Sequence, residues 1–362
     1  MPVTQHVDTS AARRRDGVIA VRELDGMPCD EIIDVRSPGE YAEDHIPGAI
    51  NLPVLDDAER ARVGTLHRQD SAFAAKKLGA ALVSRNIARH LETHFAGKPR
   101  GYHALVYCWR GGNRSGSLVT VLRAVGWHVL QLEGGYKSFR HHVLAELTRL
   151  PPHFGFRVIC GPTGVGKSRF LRALEAQGAQ VLDLEELAAH MGSVLGAHPR
   201  RAQPSQKLFE TRIWDRLRGL DPARPVFVES ESRRIGSLRT PESLLARMRD
   251  AGCINLAAGM PVRVAVLREE YAHFLADPQA LGRQLDCLVR FQGRERIETW
   301  KALGASGQWD TLVAALLTQH YDPAYARSLS RNYVHAAAGP TFTLTDHRLE
   351  GYLALARQVA EA

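Results

Sequence analysis

Two short segments of this sequence combine residue types that can do chemistry. In the first, Cys108-Trp-Arg-Gly-Gly-Asn-Arg114, a cysteine is followed by two arginines and two glycines. The spacing predicts a strand that delivers Cys108 into a loop opening a helix. Backbone N–H groups and the positive helix end then converge on the sulfur. A cradle of that kind favours thiolate over thiol. Arg110 and Arg114 add positive charge, while Gly111 and Gly112 let the backbone curl without a Cβ clash. Cys108 is therefore expected to carry a transferable, sulfur-like atom, with Arg110 and Arg114 as its electrostatic partners. Cys29, Cys160, Cys253 and Cys287 lack such surroundings and read as ordinary thiols.

The second segment, Gly161-Pro-Thr-Gly-Val-Gly-Lys-Ser168, fits G-x-x-x-x-G-K-[ST] with an apolar strand before it and a helix pattern after it. Gly161, Gly164 and Gly166, with Thr163 among them, allow backbone amides to face phosphate oxygens. Lys167 supplies a point charge, and the Ser168 hydroxyl can join a Mg²⁺ shell. A hydrolytic enzyme of this type carries a carboxylate at the end of a second apolar strand. Glu229, after Pro225-Val-Phe-Val228, is the candidate and Asp183, after Val181-Leu182, its rival. Because that strand ends in Glu-Ser-Glu-Ser, the loop is open to any diphosphate, not only a nucleotide.

Strands are expected at Glu31–Val35, Ala104–Tyr107 and His128–Leu132, with a helix through Ser115–Val125 and one or two helices over Phe73–Phe95. Leu150-Pro-Pro-His153 breaks the pattern and predicts a boundary. Beyond it, strands are expected at Phe156–Cys160, Gln180–Asp183, Arg224–Glu229 and Val262–Leu267, and mostly helix from Glu269 onward. Strands alternating with helices imply parallel sheets. The expected organisation is thus α/β throughout, with one domain over residues 1–150 and a P-loop domain with a helical C-terminal part over 151–362.

At 362 residues, two domains of ordinary size are expected. The formal charge of +8 divides into +3 over residues 1–150 and +5 over the rest, so no basic tail carries it. Such a balance permits attraction to RNA without requiring it. No apolar run is long enough to span a bilayer, and the Arg13–Arg15 cluster is followed by no apolar stretch of the kind a secretory signal needs. A cytoplasmic location is the simplest expectation. The five cysteines include no CxxC pair, which argues against disulfides and a structural zinc site, and no protein metal site is expected.

The segment Asp34-Val-Arg-Ser-Pro-Gly-Glu40 through Asp44-His-Ile-Pro-Gly48 to Asn51-Leu-Pro53 resembles the upstream signature of the rhodanese family, with Cys108 where that family's catalytic cysteine lies. Asp34 and Arg36 can brace the cysteine loop by a charge-assisted pair. A rhodanese module joined to a P-loop domain looks like the tRNA 2-selenouridine synthases. The likeness rests on Tyr107–Gly112 with Arg114-Ser115, Glu133–Lys137, Gly161–Ser168, Asp183-Leu-Glu185, Gln203–Gln206 and Glu229–Arg233. Asn113 and Met191 depart from it, standing where methionine and arginine are expected. The resemblance implies an enzyme that modifies the wobble uridine in the anticodon region of tRNA, with neither DNA nor a membrane as partner. The resemblance further implies two steps: alkylation of the 2-thio group by geranyl diphosphate, then displacement of the geranylated sulfur by selenium from selenophosphate.

RNA contact is expected from Arg233, Arg234, Arg239, Arg247 and Arg249, or from Arg283, Arg290, Arg294 and Arg296, which read equally as solvated helix faces. Phe291, Trp300 and Tyr333 are candidates to stack on an unstacked base, though each reads individually as core. Two other classes stay open on the residues alone. One is an ATP-dependent sulfurtransferase or small-molecule kinase with a fused rhodanese domain. The other is a non-enzymatic binding module, disfavoured because Cys108 is present.

Overall fold

The computed structural model describes residues 17–24, 26–193, 196, 198 and 200–361, so the Arg13–Arg15 cluster lies outside the described residues. The chain divides into two compact units between Glu146 and Leu147.

The first unit is built on five short strands: β1 (Val18–Ile19), β2 (Glu31–Asp34), β3 (Ala49–Asn51), β4 (His103–Tyr107) and β5 (His128–Leu132). They form one sheet in the order β1-β5-β4-β2-β3, and every pairing is parallel. Strands covered on both faces can be continuously apolar, and Ala104–Tyr107 is accordingly buried without a break. The covering helices are α1 (Pro38–Glu43), α2 (Asp57–Gln69), α3 (Ala72–Thr93), α4 (Asn113–Val125) and α5 (Gly135–Arg149). Their starts are chemically marked. Asp56 caps α2 by accepting from the Glu59 amide, and Ser71 caps α3 through the Phe73 and Ala74 amides. The core under the sheet includes Ile33, Val35, Val106, Leu118 and Leu122.

The second unit holds β6 (Phe156–Cys160), β7 (Gln180–Leu182), β8 (Val226–Glu229), the two-residue strands β9 (Arg234–Ile235) and β10 (Leu238–Arg239), β11 (Gly252–Ala258) and β12 (Thr341–Leu344). The main sheet is parallel in the order β12-β11-β6-β8-β7, and β9 and β10 form a separate antiparallel hairpin. Around them lie α6 (Lys167–Ala176), α7 (Leu184–Ala188), α8 (Gln206–Arg218), α9 (Glu242–Arg249) and α10 (Met260–Glu270). A helical subregion follows: α11 (Ala272–Ala276), α12 (Pro278–Leu285), α13 (Val289–Gln292), α14 (Arg294–Ala305), α15 (Trp309–Leu316) and α16 (Asp322–Asn332), before α17 (Leu349–Glu361) returns to the sheet. Leu281, Leu285, Ile297, Trp300 and Leu312 give that subregion its own core.

One expected strand is a helix. Val262–Leu267 lies inside α10, and the strand beside β6 is Gly252–Ala258. The alternation Val-Arg-Val-Ala-Val suggests period two, but Gly259 as N-cap and Pro261 in the first turn start a helix there. Tertiary packing then decides which apolar side chains are covered. The strand Thr341–Leu344 also interrupts the otherwise helical C-terminal part.

Candidate functional site

In each unit the central strand ends in a glycine loop that opens a helix, where parallel sheets present ligand sites. Cys108 follows β4 directly, and Gly111 and Gly112 adopt φ of 63° and 75° before α4 begins at Asn113. The sulfur is buried, with 3% of the residue exposed. The Ser115 hydroxyl donates to Cys108 Sγ at 3.3 Å, and Gln131 Nε2 holds both Ser115 Oγ at 2.8 Å and the Gly112 carbonyl at 3.0 Å. From the other side, the Tyr136 and Lys137 amides donate to the carbonyls of Cys108 and Trp109 at 2.8 and 2.9 Å. Gly135 makes this approach feasible, because a Cβ there would stand 2.4 Å from the Cys108 carbonyl oxygen.

Asp34 and Arg36 are fully buried below this loop and joined by a fork: Nε to Oδ2 at 3.0 Å and Nη2 to Oδ2 at 2.6 Å. Arg36 also donates to the Asp44 carbonyl at 2.6 Å and lies 3.9 Å from the Tyr136 ring centroid, while the Tyr136 hydroxyl donates to Asp44 Oδ2 at 2.8 Å. Burial disfavours the Arg36 charge, but Asp34 outweighs it and holds the guanidinium more firmly protonated than usual. The pair reaches the loop through Tyr136, whose ring faces Arg36 and whose amide holds the Cys108 carbonyl.

The two loop arginines differ. Arg114 is committed to Glu40 at 2.9 Å, and Glu40 also receives Arg60 at 2.9 Å. Burial pushes the Glu40 carboxyl up, yet Arg114, the Ser37 amide and Arg60 together hold it below the usual carboxylate range. Arg110 is exposed and makes no ion pair with any described residue. It is the uncommitted cation of the loop.

In the second unit, Gly161–Ser168 links β6 to α6 as a phosphate loop. Gly166 has φ of 72°, and a Cβ on it would stand 2.0 Å from the Tyr352 hydroxyl, so only glycine fits. Lys167 Nζ donates to the Gly161 carbonyl at 3.0 Å, and the Gly161 amide donates to the Tyr325 hydroxyl at 2.6 Å. Arg263, almost fully buried, braces the loop from behind. Its Nε donates to the Thr163 carbonyl at 2.8 Å and its Nη2 pairs with Asp322 at 2.5 Å. Nothing in the sequence around Arg263 marks it for this role.

The expected carboxylates occupy unequal places. Glu229 sits at the end of β8, in register with Ile159 of β6, but its side chain is sealed. Its Oε1 accepts from the Glu185 amide at 2.8 Å, and its Oε2 is buried without a hydrogen-bond partner among the described residues. Asp183 caps α7, accepting from the Glu186 amide at 2.8 Å. The carboxylate that meets the loop is Glu185, whose Oε2 accepts from Ser168 Oγ at 2.7 Å. Burial and then Glu231 push Glu185 up to about 8, against the pull of Lys167. Burial likewise raises Glu229 and Glu231. Glu185 and Glu231 fall within the family-like stretches Asp183–Glu185 and Glu229–Arg233, but neither is singled out by the sequence as a site residue.

Among the described residues no group of three or more histidine, cysteine or carboxylate side chains could hold a metal. One hydroxyl and one carboxylate do suit Mg²⁺, which takes one or two protein ligands and fills its shell with phosphate oxygens and water. Ser168 and Glu185 are those two.

The loop opens on a cavity of about 510 Å³, lined among others by Lys167, Ser168, Glu185, Glu231, Arg172 and Tyr325. A second, apolar pocket of about 60 Å³ shares Thr163, Ser193, Leu267, Tyr271 and Tyr321 with the first. The wide helical turn Leu317–Tyr321, with i to i+5 character, carries Tyr321 to the junction; such turns recur at functional sites.

Of the residues considered for RNA, Trp300 and Tyr333 are core, 1% and 3% exposed, and the Tyr333 hydroxyl donates to the Glu231 carbonyl at 2.6 Å. Phe291 is 56% exposed and Arg290 lies over its ring at 4.5 Å. Arg233, Arg234 and Arg239 are exposed on and beside the β9–β10 hairpin, and Arg283, Arg294 and Arg296 are exposed as well. Arg247 and Arg249 are half-buried on α9, with Arg249 donating to Asn332.

A rhodanese-like unit followed by a P-loop unit defines the class: a chain with a cysteine cradle and a phosphate cradle. Residues 20–142 match the rhodanese-like domain family, and residues 154–294 match the tRNA 2-selenouridine synthase AAA domain. The chain is 33% identical to the tRNA 2-selenouridine synthase of Marinobacter nauticus over 83% of its own length and 88% of that protein. It is 37% identical to that of Nitrosomonas europaea and 35% identical to that of Bdellovibrio bacteriovorus, each over 66% of this chain. Those two matches span 63% and 64% of the relatives' lengths, somewhat under two thirds. The chain belongs to the tRNA 2-selenouridine synthase family. No described helix is long and apolar enough to cross a membrane.

Proposed function

We propose that this protein is an enzyme that converts wobble 2-thiouridine of tRNA to 2-selenouridine in two steps. In the first, the thiocarbonyl sulfur attacks the allylic carbon of geranyl diphosphate. The carbon–oxygen bond breaks, diphosphate leaves with the electron pair, and the base loses its N3 proton. Gly161–Ser168 binds the diphosphate: the loop amides and Lys167 balance the charge that grows on the leaving group. When bound, Mg²⁺ at Ser168 and Glu185 would neutralise part of that charge. In the second, the selenium of selenophosphate attacks C2, now more electrophilic, and the geranyl thiolate leaves; water then cleaves the selenium–phosphorus bond, phosphate departs, and N3 regains its proton. Cys108 serves this selenium transfer, with Ser115 donating to its sulfur and Arg110 drawing in the anionic donor.

The observation that carries this reading is the apolar pocket sharing its mouth with the phosphate-loop cavity. A diphosphate with a hydrocarbon tail matches that pairing, whereas a nucleotide would bring a polar base and ribose. Nuclease and phosphatase digests of tRNA from cells carrying only a variant chain test it by nucleoside mass spectrometry. Lys167→Ala should leave 2-thiouridine unmodified, and Cys108→Ser should accumulate the S-geranyl nucleoside without the selenated one. Geranylation that survives Lys167→Ala and vanishes with Cys108→Ser would reverse the division of labour. Product formation that requires steady ATP hydrolysis would favour an ATP-dependent sulfurtransferase instead.

A further inference from the structure

The apolar pocket has a definite depth. Its inner wall is made by Leu275 of α11, Leu281 of α12, and Trp309, Leu312, Val313 and Leu316 of α15. Leu281, Leu312 and Leu316 belong to the buried core of the helical subregion, so the end of the pocket is a packed wall. Thr163 of the phosphate loop stands at the mouth, and Tyr271 flanks it, its hydroxyl 3.2 Å from Ser193 Oγ. A volume of about 60 Å³ takes roughly four to six water-sized groups at about 10–15 Å³ each. That is the size of one five-carbon isoprene unit.

We propose that this pocket is a chain-length gauge: it takes the terminal isoprene unit of an allylic diphosphate, and Trp309, Val313 and Leu316 set where the tail must stop. The inference rests on the reading of Gly161–Ser168 as a site for geranyl diphosphate. The diphosphate and the first isoprene unit occupy the larger cavity, and the second unit enters the pocket past Thr163, Leu267 and Tyr271. Burying that unit among apolar side chains removes it from water. A third unit meets the core wall.

Titration of the full chain with inorganic diphosphate and with dimethylallyl, geranyl and farnesyl diphosphates tests this. In the wild type, geranyl diphosphate should bind about tenfold or more tightly than dimethylallyl diphosphate, and farnesyl diphosphate should gain nothing further. Val313 is only half-buried, so Val313→Phe fills the pocket with little strain on the fold. It should erase the preference for geranyl over dimethylallyl while inorganic diphosphate binds as before. Trp309→Ala should extend the preference towards farnesyl, and this holds as evidence even if Val313→Phe does not fold. Equal wild-type affinity for dimethylallyl and geranyl diphosphates would overturn the gauge while leaving the diphosphate site intact. So would unchanged length preference in both variants. Failure of the wild type to bind any prenyl diphosphate while it binds a nucleotide would instead overturn the underlying reading, and the gauge with it.

Discussion

The cysteine loop and the phosphate loop are one local device used in two electrostatic settings. Each leaves the central strand of a parallel sheet, and each starts its helix from a glycine at positive φ, 75° at Gly112 and 72° at Gly166. Around Cys108 every strong charge below the loop is paired: Asp34 with Arg36, and Glu40 with Arg114 and Arg60. Around Lys167 three buried carboxyls gather, and burial first of all pushes Glu185, Glu229 and Glu231 above the ordinary carboxylate range. The first site is a buried cysteine above a set of fully paired charges. The second is a negative pocket that suits a polyanion only when its acids stay neutral or a cation joins them. Similar glycine turns therefore do not imply identical chemistry; the side chains brought in from distant segments decide it.

The sharpest way to break this comparison is to remove one partner from each setting. Arg36→Met strands Asp34 as a buried, unpaired charge, which costs about 3–5 kcal/mol. Glu229→Gln removes a carboxyl whose charge burial already disfavours and keeps the acceptor for the Glu185 amide, so a loss under about 1 kcal/mol is expected. Denaturant unfolding of each variant measures both; comparable losses would mean the two settings are not electrostatically distinct.

A middle-sized effect lies in pH. Glu185 is pushed up to about 8 from an ordinary value of 4.5, so between those values the folded chain keeps a proton that the unfolded chain releases. Stability should then be fullest below pH 4.5 as far as this group is concerned, and fall as pH rises towards 8. Each kcal/mol lost lowers the melting temperature by about 2–4 °C in a unit of this size. Glu185→Gln should flatten the melting temperature against pH over that window. A wild-type curve that is already flat, or rises, would contradict the neutral-acid picture.

The smallest expected change is at the cysteine loop. Ser115→Ala removes the hydroxyl that donates to Cys108 Sγ. Labelling of Cys108 by iodoacetamide at neutral pH should slow by about three- to tenfold, the worth of one hydrogen bond. Followed by mass spectrometry of the labelled peptide, an unchanged rate would show that the hydroxyl does not tune the sulfur.

Much of the site was legible residue by residue. The Asp34–Arg36 spacing, the glycines after Cys108 and the run Gly161–Ser168 are contiguous patterns, and each forms the local geometry that its residue types favour. Val262–Leu267 was not legible as a helix, because five residues of alternating apolar character satisfy a strand pattern while the capping signal sits just upstream at Gly259 and Pro261. Arg114 reads as a cation beside Cys108, yet Glu40, remote in sequence, claims it.

The sequence by itself determined the two loops, their strand–loop–helix frames and the buried Asp34–Arg36 pair, since short-range backbone preferences and adjacent side chains settle those. Only the tertiary structure decided that Glu185 and not Glu229 meets Ser168, that Arg263 supports the phosphate loop, and that α10, α11, α12 and α15 enclose an apolar pocket beside it. The reason is physical. A helix pattern tells which face is apolar, but packing against other helices decides whether that face is filled to the core or leaves room for a ligand.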